Sequence, residues 1–236
     1  MNNDTATITP NQAAHKILAS FLATLLISIA LLFSGAGRLT WNLGWIFVAA
    51  WIVPKLAFLV LLRWQDPDLL VERATRHQNT QAYDRVILPI YFLFAFSTFL
   101  IASLDGGRFQ WSSDVPITWI ILAYAIYLLG NSLAGWAINS NPFFSSESRL
   151  QTDRGQHVSS SGPYRFVRHP AYSASLLLWA TTGPMLASWW AVIPGLLAGI
   201  MMVIRTVFED RLLISELPGY TDYARKVRYR LLPGIW

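Results

Sequence analysis

Apolar stretches near the length that crosses a bilayer recur along this 236-residue chain, and they leave few folds open to it. A spanning helix needs about 20 mainly apolar residues. Residues 17–33 carry only Ser20, Thr24 and Ser28 as polar interruptions. Further stretches cover 43–62, 86–104 and 116–138, each bounded by charges or by Gly, Asp and Pro turn signals. After a polar segment at 139–169, apolar sequence resumes at 170–187, is punctuated by Gly183-Pro184, and continues over 189–208. The pattern predicts an all-α, polytopic integral membrane protein of about six transmembrane helices. The last two form a tight hairpin, followed by a cytoplasmic C-terminal segment. Charged residues make up 13% of the chain, against about 25% in soluble domains.

Trp41, Trp45, Trp64, Trp111, Trp119, Trp189 and Trp190 fall near the expected span ends, where amphipathic rings favour the interface. The first apolar run exceeds the 7 to 15 residues of a cleaved secretory signal, and Lys16 is its only flanking cation, so a retained helix is expected. Orientation follows from Lys and Arg. The N-terminus, the 63–85 loop, the 139–169 loop and the segment from Arg205 onward hold 15 of the 18 cations. The opposite loops hold Arg38 and Arg108, and Lys55 lies within a span. That asymmetry puts the four basic segments and both termini in the cytoplasm, as in a bacterial-type inner membrane. It also accounts for the net charge of +5 without nucleic acid. Eleven of the thirteen acids and all four histidines share that face, so chemistry is expected there. With no internal repeat or linker, a single domain is expected over 1–236, with N-terminal spans over 1–138 and a chemically active half over 139–236.

The chain has no cysteine, which removes disulfides, thiolate metal sites and cysteine nucleophiles. His157 and His169 are twelve apart, His15 and His77 are remote, and no HxxxH or HExxH spacing occurs, so no metal site is expected. Neither GxGxxG nor GxxxxGK is present, which sets aside Rossmann-type cofactors and P-loop ATP hydrolysis. A serine in SSSG lacks the GxSxG context of a hydrolase.

Residues 159–172 read SSSGPYRFVRHPAY directly before an apolar helix. Pro170 suits a first helical turn, where free backbone N–H groups favour an anion, and Arg168 and His169 stand beside it. Two readings stand: a docking point for a carboxylate or phosphate, or a basic loop touching anionic headgroups. Arg205 and Glu209, four apart near the end of the last span, share a helical face. They read as a site or as an i,i+4 salt bridge, with Asp210 a second acid suited to a cationic ligand group. Asn131, Gly135 and Asn139 repeat every four residues and predict a helix-packing face. Lys55 is expected to snorkel.

SGPYRFVRHPAY, an apolar hairpin, and then RTVFEDRLLISELPGYTDYARKVRYRLLPGIW, in that order, resemble the isoprenylcysteine carboxyl methyltransferase family of integral-membrane enzymes. That family is similar in its C-terminal half to phospholipid methyltransferases. The resemblance covers roughly residues 139–236. It implies S-adenosyl-L-methionine held at the cytoplasmic side, with a cofactor-binding catalytic half over 139–236. By motif position it implies cofactor contacts at Tyr164, His169, Pro170, Ala171, Tyr172 and Glu209, and at the upstream strip Gln156, His157, Val158 and Ser159. It implies that Arg205 binds the methyl acceptor and acts in catalysis. Ala174 stands where bacterial relatives often carry Gly, and Asp210 where a second Glu is common.

The expected reaction is O-methylation of a carboxylate on a prenylated or other lipophilic acceptor entering from the bilayer. Arg205 would orient the acceptor without a general base. N-methylation of a phospholipid amine, S-methylation of a small thiol, and non-catalytic binding of anionic lipid are the competing readings.

Overall fold

The computed structural model describes residues 9–75 and 80–236; His77, and Arg76 among the counted cations, lie outside the described residues. All regular structure among the described residues is helical. α1 (Pro10–Ala36) starts from Thr9, whose hydroxyl and the Gln12 side chain form a reciprocal capping box, with Pro10 in the first turn. It ends at Gly37 in the left-handed conformation. α2 (Asn42–Gln65) runs to Asp66, which in turn caps the short helix α3 (Pro67–Ala74) through its carboxylate. α4 (Asp84–Ala102) continues as a π-helical segment, Ser103–Phe109. α5 (Ile117–Asn139) leads into the polar segment, and α6 (Pro170–Met185), α7 (Val192–Glu216) and α8 (Tyr220–Lys226) complete the chain.

Among the described residues, five helices are long and apolar enough to cross a membrane: α1, α2, α4 with its π-helical extension, α5 and α7. α6 has 16 residues, about 24 Å at 1.5 Å per residue, and so falls short of a 30 Å hydrocarbon core. The expected six spans are therefore five full-length helices and one shorter partner. Large apolar side chains such as Leu26, Val53 and Leu129 stand more than 60% exposed, as lipid-facing positions do. Trp64, Trp111, Trp119 and Trp190 are likewise exposed near helix ends, whereas Trp41 is buried in the core with Phe33 and Phe47.

α6 and α7 form the expected hairpin, which turns where the two apolar runs meet, just past Gly183-Pro184. α6 runs through both residues to Met185, because a proline within the last turn costs little helix beyond it, and the reversal occupies 186–191. α6 packs on α5, and α7 on α4. The α5 residue that permits close approach is Gly130, where a Cβ would meet Leu178 and the Ala174 carbonyl. A Cβ on Gly135 would meet nothing within 4 Å. The packing face expected at Asn131, Gly135 and Asn139 is thus displaced. Asn131 instead bonds the Tyr127 carbonyl of its own helix. Lys55 lies over the Trp51 ring, 4.8 Å from its centroid.

At the far end of the hairpin, buried Asp105 accepts from the Ser112 amide and from the hydroxyls of Ser112 and Ser188. A Cβ on Gly106 would collide with the Leu186 carbonyl. These contacts fix the 186–191 turn to the end of α4.

Candidate functional site

The polar segment after α5 is ordered by side chains of its own. Asn141 donates to the Tyr164 hydroxyl and accepts from the Ser159 hydroxyl, drawing together residues 23 and 18 positions away. The Gln151 side chain donates to the Phe143 carbonyl, and the Gln151 backbone N–H donates to the Gln156 side-chain oxygen. Gly162 takes a φ of 56°, and a Cβ there would collide with Ser140. Only glycine turns the SGPYR segment this closely over the end of α5. Tyr164, in the short 3-10 helix Gly162–Arg165, accepts a bond at its carbonyl from the Tyr223 hydroxyl. Burial raises the phenol pKa of Tyr164 above the ordinary value, so the group stays a neutral hydroxyl.

α6 begins with Pro170 in its first turn, as expected. The residues just before it pair with the tail: the Arg168 and His169 amides donate to the Tyr229 and Arg230 carbonyls, and the Ser173 hydroxyl donates to the Leu231 carbonyl. Beneath them lies Asp210, fully buried. Its carboxylate takes Arg168 and Arg230, each at 2.8 Å, and the Tyr220 hydroxyl at 2.9 Å, with the His169 ring 3.3 Å away. Arg168 is therefore not free to dock an anion, and Asp210 is not free to receive a cation. Each neutralises the other, as burial of charge demands. Glu209, one residue earlier, points elsewhere. It accepts from the Tyr172 hydroxyl at 2.5 Å and from Ser148 at 3.0 Å, with His169 Nδ1 4.0 Å away. Of the two readings of Arg205 and Glu209, the i,i+4 salt bridge does not form: Arg205 turns to Asp84, donating from Nε at 2.9 Å and Nη2 at 2.8 Å, and also to the Ser146 carbonyl.

These elements enclose a cleft with about 810 Å³ of empty space, counting its open mouth. The space between its walls is narrow. Gln156, His157, Val158 and Ser159 form one wall. Tyr164, His169, Ala171, Tyr172 and Glu209 also line it. Pro170 and Arg205 do not. Pro170 is buried in the helix turn, and Arg205 lies behind Tyr172, its guanidinium 5.4 Å from the ring centroid. Residues 141–151 supply a wall that motif reasoning missed, notably Asn141, Phe143 and Ser148. The only sequence signal was the polar NPFFSSES run directly after a span. Leu212, Leu213 and Leu217, at the C-terminal end of α7, add an apolar side. Among the described residues, no group of three or more potential ligands could hold a metal ion.

The helices that build this cleft can be set beside known proteins. Residues 118–216 match the phospholipid methyltransferase family. The likeness to phospholipid methyltransferases expected from the C-terminal motifs is borne out over this stretch, which takes in α5, the polar segment, α6 and α7. The chain is also similar to the cobalt-zinc-cadmium resistance protein CzcN of Cupriavidus metallidurans, 35% identical over 133 residues. That alignment covers 55% of this chain and 56% of CzcN, so the chain spans about half the length of the curated relative it matches.

Proposed function

We propose that this chain is a membrane methyltransferase that uses S-adenosyl-L-methionine and O-methylates a carboxylate on a prenylated or otherwise lipophilic acceptor. The observation that carries the reading is convergence: nine of the ten positions proposed as cofactor contacts, scattered from Gln156 to Glu209, line one narrow cleft. A cofactor with a sulfonium, an ammonium, a carboxylate and an aromatic base asks for an acid, polar donors and flat apolar walls. Glu209 supplies the acid, Ser159, Gln156 and Asn141 the polar rim, and Phe143, Tyr164 and Leu213 the walls. The bound cofactor would supply an electrophilic methyl group.

The protein's own part is alignment and exclusion of water, since displacement at carbon needs no covalent nucleophile. Tyr172 and Ser148 hold the Glu209 carboxylate in place by hydrogen bonds, so its charge faces the cleft without reorganising. Arg205 stands behind Tyr172, 5% exposed and paired with Asp84, so in this reading its charge reaches the acceptor through the Tyr172 side of the cleft. The polar rim faces the cytoplasm, as do both termini in this reading. One observation favours a second acceptor class. The charge of Arg205 is already balanced by Asp84, which suits an uncharged amine of a phospholipid headgroup better than a lone arginine would.

Calorimetry on detergent-purified protein tests the reading, with S-adenosyl-L-methionine and its demethylated product as ligands. Both are expected to bind. Glu209→Ala is expected to weaken them at least about tenfold, or about 1.4 kcal/mol. No binding by folded wild-type protein, with acceptor lipid present, would leave the chain as a binder of anionic lipid.

A further inference from the structure

Asp84 opens α4, in the part of the chain that precedes the family match, yet it is 2% exposed and lies against the back of the cleft. Its two oxygens serve three donors. Oδ1 accepts from Arg205 Nε at 2.9 Å, and Oδ2 accepts both from Arg205 Nη2 at 2.8 Å and from the Ser148 amide at 2.7 Å. Ser148 then passes the contact on, since its hydroxyl donates to Glu209. One carboxylate therefore fixes Arg205 on the acceptor side and, through a single intervening residue, Glu209 on the cofactor side. The preceding residues reinforce the joint: the Gln81 amide donates to the Ser148 carbonyl, and the Thr80 hydroxyl to Glu147.

We infer that Asp84 is a positioning residue of the methyltransferase site, registering the acceptor-side arginine against the cofactor-side glutamate. The inference rests on the proposed function and names a residue that the C-terminal motifs do not contain. Its chemistry cannot be met by the isosteric amide. Asparagine offers one acceptor oxygen where three donors converge, and its NH2 would face either a guanidinium N–H or the Ser148 amide.

The test is a double-mutant cycle on cofactor affinity, which needs no knowledge of the acceptor. S-adenosyl-L-methionine binding is measured by calorimetry on the purified full chain for wild type, Asp84→Asn, Ser148→Ala and the double variant, with thermal unfolding followed in parallel. Each single change is expected to weaken binding about five- to tenfold. The double variant is expected to lie within about twofold of Ser148→Ala, because the lever from residue 148 to Glu209 is already cut. Glu72→Gln, which disturbs the Arg149 pair elsewhere in the same wall, is expected to combine with Asp84→Asn multiplicatively. Should Asp84→Asn fail to fold with Arg205 left as an unbalanced buried cation, Asp84→Asn combined with Arg205→Gln removes both charges and enters the same cycle. Unchanged affinity in the Asp84 variants, or multiplicative effects of Asp84 and Ser148, overturns the inference while leaving the cofactor site standing. Absence of binding in wild type overturns both.

Discussion

Glu209 and Asp210 are adjacent on α7 and carry the same charge, but their surroundings assign them opposite tasks. Asp210 is spent entirely on the protein, gripping Arg168, Arg230 and Tyr220 in a pocket closed to solvent. Glu209 keeps 23% of its side chain exposed, bonds only hydroxyls, and presents its charge to the cleft. Removing one partner of a buried ion pair typically costs about 3 to 5 kcal/mol. Asp210→Asn is accordingly expected to lower stability by about that amount in a detergent unfolding assay, whereas Glu209→Gln leaves stability nearly unchanged. Equal losses in the two variants would contradict the division. The sequence made the two acids visible as a pair near a span end. It could not tell them apart, because that depends on Arg230 and Tyr220 arriving from the tail and on Asp84 drawing Arg205 away.

Among the elements, the helices were the legible part and the polar segment the opaque one. Apolar runs of near-spanning length located α2, α4 and α5 to within three residues of their ends, whereas α1 starts seven residues before its run and α7 extends eight beyond its own. Pro170 marked the start of α6 correctly. The hairpin turn occupies 186–191, where the runs 170–187 and 189–208 meet, and Gly183-Pro184 is taken into the last turn of α6, where a proline interrupts little helix. Residues 140–165 have no period to read. Their shape comes from Asn141, Gln151 and a glycine turn. Gly162 and Gly155 both take positive φ, but only Gly162 has a neighbour, Ser140, where a Cβ would go. Gly155→Ala is expected to cost about 1 to 2 kcal/mol from backbone strain alone. Gly162→Ala is expected to cost more and to weaken cofactor binding, since Tyr164 moves with the turn. Thermal unfolding of the two variants side by side measures the difference, and equal costs would place Ser140 out of reach.

For the whole molecule, the cation count along the sequence and the position of the cleft agree. The cleft lies at the end of α6 and α7 carrying Arg168, Arg205 and Arg230, away from the loops that hold Arg38 and Arg108. The absence of cysteine makes this orientation easy to measure with single introduced thiols. Ser113→Cys and Thr221→Cys both fall at exposed positions, one beyond each end of the bundle. In intact bacterial cells expressing the protein, an impermeant thiol reagent is expected to label Cys at 113 and to reach 221 only after lysis. The reverse pattern would invert the molecule.

The bond network around Asp105 sets how such a molecule can open. Ser188 and Ser112 pin the hairpin turn to α4, and the close seat of Gly106 under Leu186 leaves no room for sliding. The two arms of the hairpin cannot piston past their neighbours. At the other end the buried Arg168–Asp210 pair and the Tyr172–Glu209 bond clasp the start of α6 to α7, so the hairpin is pinned at both ends like a buckled strap. On the proposed function, a long-tailed acceptor would therefore have to reach the cleft beside the hairpin rather than between its two arms.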